Sequence, residues 1–143
     1  MAVSTMKIRA EMCEKFKTTV KASHTFIIDQ PAAAGGTDEG ANPLEYFLSS
    51  LAGCICAIGR IIANQKRLPV RSICADISGE IDKDYLLGKT KEGRAGFTAI
   101  KADVTIDADM SEQEKKVFLE EIDERCPVSD NMQRGTSVSF NLK

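Results

Sequence analysis

The 143-residue sequence lacks the features that mark several common functional classes. It has one histidine, His24, and a net charge of −2 with both signs interspersed along the chain. Because no basic stripe is present, binding to DNA or RNA is disfavoured. A zinc site is also disfavoured, since a single histidine and no second close cysteine pair leave its ligand set incomplete. We expect neither a metal nor another cofactor.

The sequence has little that resembles a targeting or membrane-spanning segment. The stretch from Met1 to Lys7 has no apolar segment followed by a small-residue cleavage site, so it is not typical of a secretory signal. The longest apolar-rich stretch, Leu44–Ala63, is interrupted by Glu45, two serines and Arg60. A lipid-spanning helix rarely carries that many polar residues. We therefore expect a cytoplasmic protein that does not bind membranes.

The cysteines do not form the pattern of a disulfide framework. Their number is odd and the chain is long enough to build its own core, so most of the thiols should be reduced. Cys54 and Cys56 lie two residues apart in a predicted helix, about 200° apart around its axis, and cannot bond to each other without unwinding it. We interpret three of the five as structural, namely Cys13, Cys56 and Cys74.

The hydrophobic pattern predicts an α+β fold in a single domain, residues 1–143. Alternating apolar and polar residues are typical of half-buried strands, and a capping box begins the last long helix. Because the strands are grouped rather than alternating singly with helices, we expect mostly antiparallel sheets. The predicted strands are Met6–Met12, Lys15–Val20, Ser23–Asp29, Val70–Asp82, Phe97–Ile106 and Val138–Leu142. The predicted helices run from Asn42 to about Lys66 and from Ser111 to about Arg125, with Val117, Leu119 and Ile122 as the inner stripe of the second and a further turn at Ser129–Gln133.

The first long helix has the signals of a strong start and almost no polar face. Asn42 is a helix cap, Pro43 occupies the first helical position, and Glu45 lies in the first turn, where the helix dipole favours an acid. From there to Asn64 the helix is apolar on nearly all sides, which is typical of a helix buried on nearly all sides. A chain of this size encloses such a helix with difficulty, so we expect a partner subunit to cover it.

Cys126 differs from the other cysteines in its local sequence. It follows a predicted helix end and precedes Pro127 at the start of another turn. A thiolate there would gain from backbone N–H groups and from the nearby Arg125 or Arg134. Such a position suits a thiol that must move to meet a partner.

Several segments resemble the OsmC/Ohr family. Gly40–Phe47, leading into Leu51–Cys54, resembles the central helix of that family, and Glu124–Ser129 resembles its second cysteine motif. His24–Asp29 followed by Gly35–Gly40 is similar to the OsmC-like branch. The resemblance runs in order along most of the chain.

The resemblance implies an intertwined homodimer in which sheets from both subunits wrap two long central helices, with each active site at the subunit interface. It also implies that Cys54 is a peroxidatic thiol and that Cys126 resolves its sulfenic acid as a disulfide. An external dithiol, in one branch of the family a lipoylated protein, would reset the pair. Apolar neighbours of Cys54 favour organic hydroperoxides as substrates.

The sequence departs from the organic-hydroperoxide branch at two charged positions. That branch has a glutamate directly after the Asn-Pro pair, where Leu44 stands here, and Glu45 follows one residue later. Glu45 is therefore a candidate catalytic residue and equally a helix-start acid. That branch also uses an arginine from the N-terminal sheet, and this chain has none between Ala10 and Arg60. The available substitutes are Arg9, Lys15 and Lys17.

Two other functions fit the same fold. One is a non-catalytic dimer that holds a small apolar ligand in its interface pocket, and the other is a structural or partner-binding dimer with incidental thiols. Neither needs Cys126 within reach of Cys54, whereas the reductase requires it.

Overall fold

The computed structural model describes all residues, 1–143, and confirms an α+β fold with antiparallel sheets. The chain divides into two compact units, residues 1–47 and 48–143, and a single domain over the whole chain stays a prediction. The strands are β1 (Arg9–Glu14), β2 (Lys17–Lys21), β3 (Thr25–Ile28), β4 (Val70–Ile81) and β5 (Phe97–Ala108). The helices are α1 (Pro43–Lys66), α2 (Lys83–Leu86), α3 (Glu112–Arg125) and α4 (Pro127–Arg134), with a short 3-10 turn at Ala32–Ala34.

The first unit contains an antiparallel meander, β1–β2–β3, as the alternating pattern predicts. Its first strand begins at Arg9 rather than at the predicted Met6. Arg9 pairs with Lys21, the last residue of β2, so no strand partner remains for the residues before it. The alternation at Met6 and Ile8 therefore continues outside the sheet, and both side chains are exposed.

A buried carboxylate organises the connection from β3 to α1. Asp29 is 1% exposed and accepts hydrogen bonds from the backbone N–H groups of Gln30, Thr37 and Glu39 and from the Thr37 hydroxyl, at 2.7 to 3.3 Å. The Thr37 hydroxyl, supported by these backbone donors against the effect of burial, holds the pKa of Asp29 below its usual range. Asp29 was not among the residues predicted to have a role of their own.

The predicted bounds of the long helix are confirmed at α1. The Asn42 backbone N–H donates to the Glu45 carboxylate at 2.8 Å, and the Glu45 N–H donates to the Asn42 side chain at 2.9 Å, which is a reciprocal cap. At the other end Arg67 adopts a left-handed conformation, with φ 54°, and Leu68 N–H donates to the Ala63 carbonyl. The helix ends there because this turn closes its last carbonyl groups.

In the second unit β4 and β5 form a long antiparallel hairpin, and a bulge explains its irregular pattern. Val70 pairs with Ala108 while Ser72 pairs with Asp107, so Arg71 is an extra residue on β4. The extra residue resets the side-chain alternation. As a result Val70 and Ile73, three residues apart, both pack in the core.

The core of the second unit lies where α1 meets the hairpin and α3. A Cβ built at Gly59 of α1 would lie 2.3 Å from Cδ1 of Ile73 and 3.0 Å from Cδ1 of Ile122, so a larger residue would require these side chains to shift. The buried side chains of this core are Leu51, Ile55, Ile62, Ala63, Val70, Ile106, Ala108, Phe118, Ile122 and Cys126.

The predicted inner stripe of α3 is wrong at one position. Val117 is exposed, and Phe118 is buried together with Ile122. The reason is helical spacing, because residues 118 and 122 are four apart and share a face, whereas residue 117 is five residues from 122. The predicted capping box of Ser111 and Glu114 is present.

The connection between β4 and β5 contains the short helix α2. One predicted strand in the second half of the chain is wrong. The predicted last strand, Val138–Leu142, is absent, and residues 135–143 lie outside any helix or strand. No strand edge pairs with this segment, and its apolar side chains are exposed, Phe140 by 95%.

Helix α1 is less covered within one chain than its composition predicts. Only 28% of its most apolar 18-residue window is buried, and Phe47 and Ile61 are each 44% exposed. By length and composition alone α1 would also suit a membrane span, a test that the core helix of a soluble protein passes equally. The packing of Leu51, Ile55 and Ile62 against the hairpin and α3 is that of a core helix.

Candidate active site

Cys126 lies at the junction of two helices, as the sequence predicts. Its backbone N–H donates to the Asp123 carbonyl at 3.3 Å and so ends α3. Its sulfur accepts the Ser129 N–H at 3.4 Å and so caps α4, with Pro127 in the first helical position. The side chain is 0% exposed. A sulfur at a helix N-terminus faces N–H groups that have no partner within the helix and can accept their hydrogen bonds.

Cys54 projects from the middle of α1 towards this junction. Its Sγ atom lies 2.8 Å from the Sγ of Cys126, so that one thiol can donate a hydrogen bond to the other. Disulfide-bonded sulfurs are separated by about 2.05 Å, and all five cysteines are free here. The structure therefore brings together the two cysteines that the resemblance pairs.

The electrostatics of Cys54 combine opposing effects. Burial, reinforced by the hydrogen bond and charge of Cys126, raises the pKa of the Cys54 thiol above its ordinary value. The backbone N–H of Val128, in the first turn of α4, acts against them by stabilising the thiolate. The first turn of α4 thus supplies an N–H to each sulfur.

The remaining cysteines are separate from this pair. The Cys56 thiol donates to the Ile73 carbonyl on β4 at 3.5 Å, away from Cys126. Cys13 and Cys74 are exposed on strands. These positions agree with the expectation that Cys56 is not the partner of Cys54.

The arginines expected to stabilise Cys126 are bound elsewhere, and this prediction is wrong. Arg125 donates to Glu121 at 3.1 Å and to Gln65 at 2.9 Å. Arg134 pairs with Asp130 at 3.2 Å. Each arginine pairs with a carboxylate one turn away on its own helix, and Arg125 also bonds Gln65 of α1. The groups that face the sulfurs are backbone N–H groups.

A polar cluster missed by the sequence analysis joins the two helices at Cys126. The Ser129 hydroxyl donates to the Asp123 carboxylate, and Gln133 Nε2 donates to Asp123 Oδ1 at 3.0 Å and to Ser129 Oγ at 2.7 Å. The available signal was Cys-Pro-Val-Ser, which places a capping residue, a proline at the first helical position and a small polar residue two positions later.

Two of the charged candidates of the first unit, Glu45 and Lys17, have structural partners. The Glu45 carboxylate takes part in the cap of α1 described above, so its catalytic role stays a prediction. Lys17 pairs with Glu39 at 2.9 Å, and this contact raises the pKa of Lys17.

Two thiols in contact can cycle between a dithiol and a disulfide. A sulfenic acid formed on either sulfur would lie within reach of the other. The disulfide could then be opened by exchange with an external thiolate.

The chain is similar to a known protein family and to proteins with curated names. The family model described as OsmC-like protein matches residues 36–141. A hydroperoxide reductase of Mycoplasma genitalium is 26% identical over 120 residues, which cover 84% of this chain and 82% of that protein.

Solved structures share the fold. An OsmC-like protein from Mycoplasma pneumoniae superposes with a TM-score of 0.79 at 24% identity, covering 91% of this chain and 88% of the other. An organic hydroperoxide resistance protein OsmC from Legionella pneumophila gives a TM-score of 0.65 at 19% identity, covering 93% and 92% of the two chains. Since the family model spans well over half of the sequence, the chain belongs to the OsmC-like protein family.

Proposed function

We propose that this protein is a thiol-dependent peroxidase that reduces organic hydroperoxides to alcohols through Cys54 and Cys126. The observation that carries the proposal is the 2.8 Å separation of the two sulfur atoms. The relatives support a peroxide-related function, since one is named a hydroperoxide reductase and another an organic hydroperoxide resistance protein.

The reaction balances in three steps. The Cys54 thiolate attacks the outer oxygen of ROOH, the O–O bond breaks, and the released alkoxide takes a proton to leave as ROH. The Cys126 sulfur then attacks the Cys54 sulfenic acid, and the hydroxyl group leaves with the Cys126 proton as water. An external dithiol supplies two electrons and two protons by exchange and is itself oxidised to a disulfide. A lipoylated protein is the reductant that the family resemblance favours.

Accessibility favours Cys54 for the first step. Cys126 is completely buried, whereas Cys54 is partly exposed. Ile58, one turn after Cys54 on α1, and Val128, whose N–H donates to Cys54, have partly buried apolar side chains that would contact an alkyl tail. These neighbours favour organic hydroperoxides over hydrogen peroxide.

Activation of Cys54 requires more than the Val128 N–H, because burial raises the pKa of its thiol. Glu45 remains the proposed acidic residue of the site, and a basic residue of the N-terminal sheet is the proposed cation. The cytoplasm is the proposed compartment because it keeps such thiols reduced.

Thiol counting with cumene hydroperoxide tests the proposal. One equivalent should remove two thiols from the reduced wild-type protein and produce a Cys54–Cys126 disulfide in a peptide mass map. Cys126→Ser should accumulate a Cys54 sulfenic acid or its overoxidised products, and Cys54→Ser should lose no thiols. Cys56→Ser is the matched control on the same helix and should behave as wild type. Unchanged thiol counts in the wild type would reject the reductase and favour the non-catalytic ligand binder.

A homodimer is the second part of the proposal. It is supported by the partial exposure of Ile61 on the apolar helix α1 and by the exposed alternating side chains of Val138, Phe140 and Leu142. Exposed apolar side chains are typical of interaction surfaces when they cluster, and an alternating segment gains a buried face by joining a sheet. Sedimentation at micromolar concentration should give twice the chain mass of 15.6 kDa. A stable species of single-chain mass would contradict the dimer.

A further inference from the structure

The first turn of α4 is the element that serves both sulfurs. The Ser129 N–H donates to Cys126 Sγ, and the Val128 N–H donates to Cys54. Any movement of this turn would therefore change the surroundings of both thiols and the distance between them. What fixes the turn is consequently relevant to the chemistry of the pair.

A carboxylate of α3 holds this turn in place, although its position in α3 is otherwise unfavourable for an acid. Asp123 lies in the last turn of α3, where the negative end of the helix dipole disfavours an acid. Its Oδ1 accepts hydrogen bonds from the Ser129 hydroxyl and from Gln133, both of α4. Ser129 is itself buried, so its hydroxyl has little access to water. These bonds join the end of α3 to α4 across Cys126.

We propose that Asp123 and Ser129 are positioning residues that hold Cys126 against Cys54. By fixing the first turn of α4, they set the rate at which Cys126 resolves the Cys54 sulfenic acid and the reduction potential of the Cys54–Cys126 disulfide. The statement about the rate rests on the proposed function, whereas the statement about the potential requires only that the two sulfurs form a disulfide. Neither residue touches the peroxide.

The physical basis is the effective concentration of one sulfur at the other. Forming the S–S bond from the dithiol releases two electrons and two protons to an oxidant, here oxidised dithiothreitol. The hydrogen bonds between α3 and α4 already hold the two sulfur atoms 2.8 Å apart. Little further conformational entropy is therefore lost when the S–S bond forms. Without the Asp123–Ser129 bond the turn gains freedom, and the disulfide becomes less favourable relative to the dithiol.

Redox equilibration with dithiothreitol measures this effect without peroxide. Ser129→Ala and Asp123→Ala should each lower the equilibrium constant for disulfide formation about tenfold. The reduction potential of the disulfide should then be about 30 mV less negative, because the couple transfers two electrons. Ser129→Thr keeps the hydroxyl and should restore the wild-type value. Asp130→Ala is the matched control, because Asp130 is an exposed acid of α4 whose partner is Arg134. It should leave the potential unchanged.

Trapping the sulfenic acid with dimedone measures the resolving step. At one equivalent of cumene hydroperoxide and below the unfolding temperature of each variant, Ser129→Ala and Asp123→Ala should raise the dimedone-labelled fraction of Cys54 severalfold over wild type. Wild-type potentials and labelling in both folded variants would overturn the proposal, as would an equal change in Asp130→Ala. If Ser129→Ala does not fold, the reduction potentials and dimedone labelling of Asp123→Ala and Ser129→Thr test the proposal. A wild-type protein that equilibrates with dithiothreitol but ignores peroxide would refute the proposed function while leaving the positioning role open to the same potential measurements.

Discussion

The two cysteines of the site lie in contrasting backbone environments. Cys54 belongs to the interior of a 24-residue helix, where the backbone groups are engaged within the helix itself. Cys126 lies between two helices, ends one and caps the other, and its sulfur accepts a backbone N–H. The continuous helix supplies a fixed position, and the junction supplies the hydrogen-bond donors. The N–H donors at the two sulfurs therefore come from the junction and not from α1.

Apolar packing of α3, as well as the polar cluster, holds the junction between α3 and α4 in place. Phe118 and Ile122 of α3 are buried in the core, and Ile122 contacts α1 near Gly59. This packing anchors the helix that ends at Cys126. The comparison between helix and junction can be tested by weakening each support in turn.

The largest effect should come from the anchor of α3. Ile122→Ala removes a side chain that is completely buried and should lower the free energy of unfolding by about 2–5 kcal/mol, through lost burial and the cavity left behind. Val117→Ala, on the exposed side of the same helix, should change it by less than about 0.5 kcal/mol. Urea unfolding followed by circular dichroism measures both. Equal costs at the two positions would contradict the corrected inner face of α3.

A smaller effect should distinguish the two cysteines. Cys126→Ala removes the cap of α4 and should cost about 1 kcal/mol, whereas Cys126→Ser supplies a hydroxyl that accepts the same N–H and should cost less. At Cys54, which caps no helix, the alanine and serine variants should not show this order. The four variants are compared by urea unfolding under reducing conditions. Loss of the order at Cys126 would mean that its sulfur does not act as a cap.

The sequence predicted α1, β4, β5 and α3 well because each has a strong local signal. Asn42 and Ser111 cap their helices as side-chain chemistry requires, and the alternation of β5 survives in its buried face. The absent strand at Val138–Leu142 marks the limit of such signals. Alternation shows that one face could be buried, but it does not supply the neighbouring strand that would bury it.

The two cysteines of the site could be predicted from the sequence, but the charged and polar groups around them could not. The family resemblance paired Cys54 with Cys126. Proximity in sequence suggested Arg125 and Arg134 as stabilising charges, yet each is closer to a carboxylate on its own helix. Side-chain direction at a helix junction depends on how α3 and α4 meet, which no single segment specifies. Ser129 was missed for the same reason.

The smallest predicted effect concerns the acidity of Cys54. Its raised pKa has burial as the larger cause and Cys126 as a lesser one. Cys126→Ala removes only the lesser cause, so the pKa of Cys54 should fall part of the way towards its ordinary value. Since the thiolate is the reactive form, iodoacetamide should label Cys54 faster in this variant than in the wild type at every pH below the wild-type pKa. Peptide mass spectrometry resolves Cys54 from Cys56, whose labelling profile should not move and serves as the internal control. Slower labelling of Cys54 in the variant would mean that Cys126 stabilises the thiolate by donating to it, and the site would then hold one proton between its two sulfurs with the charge on Cys54.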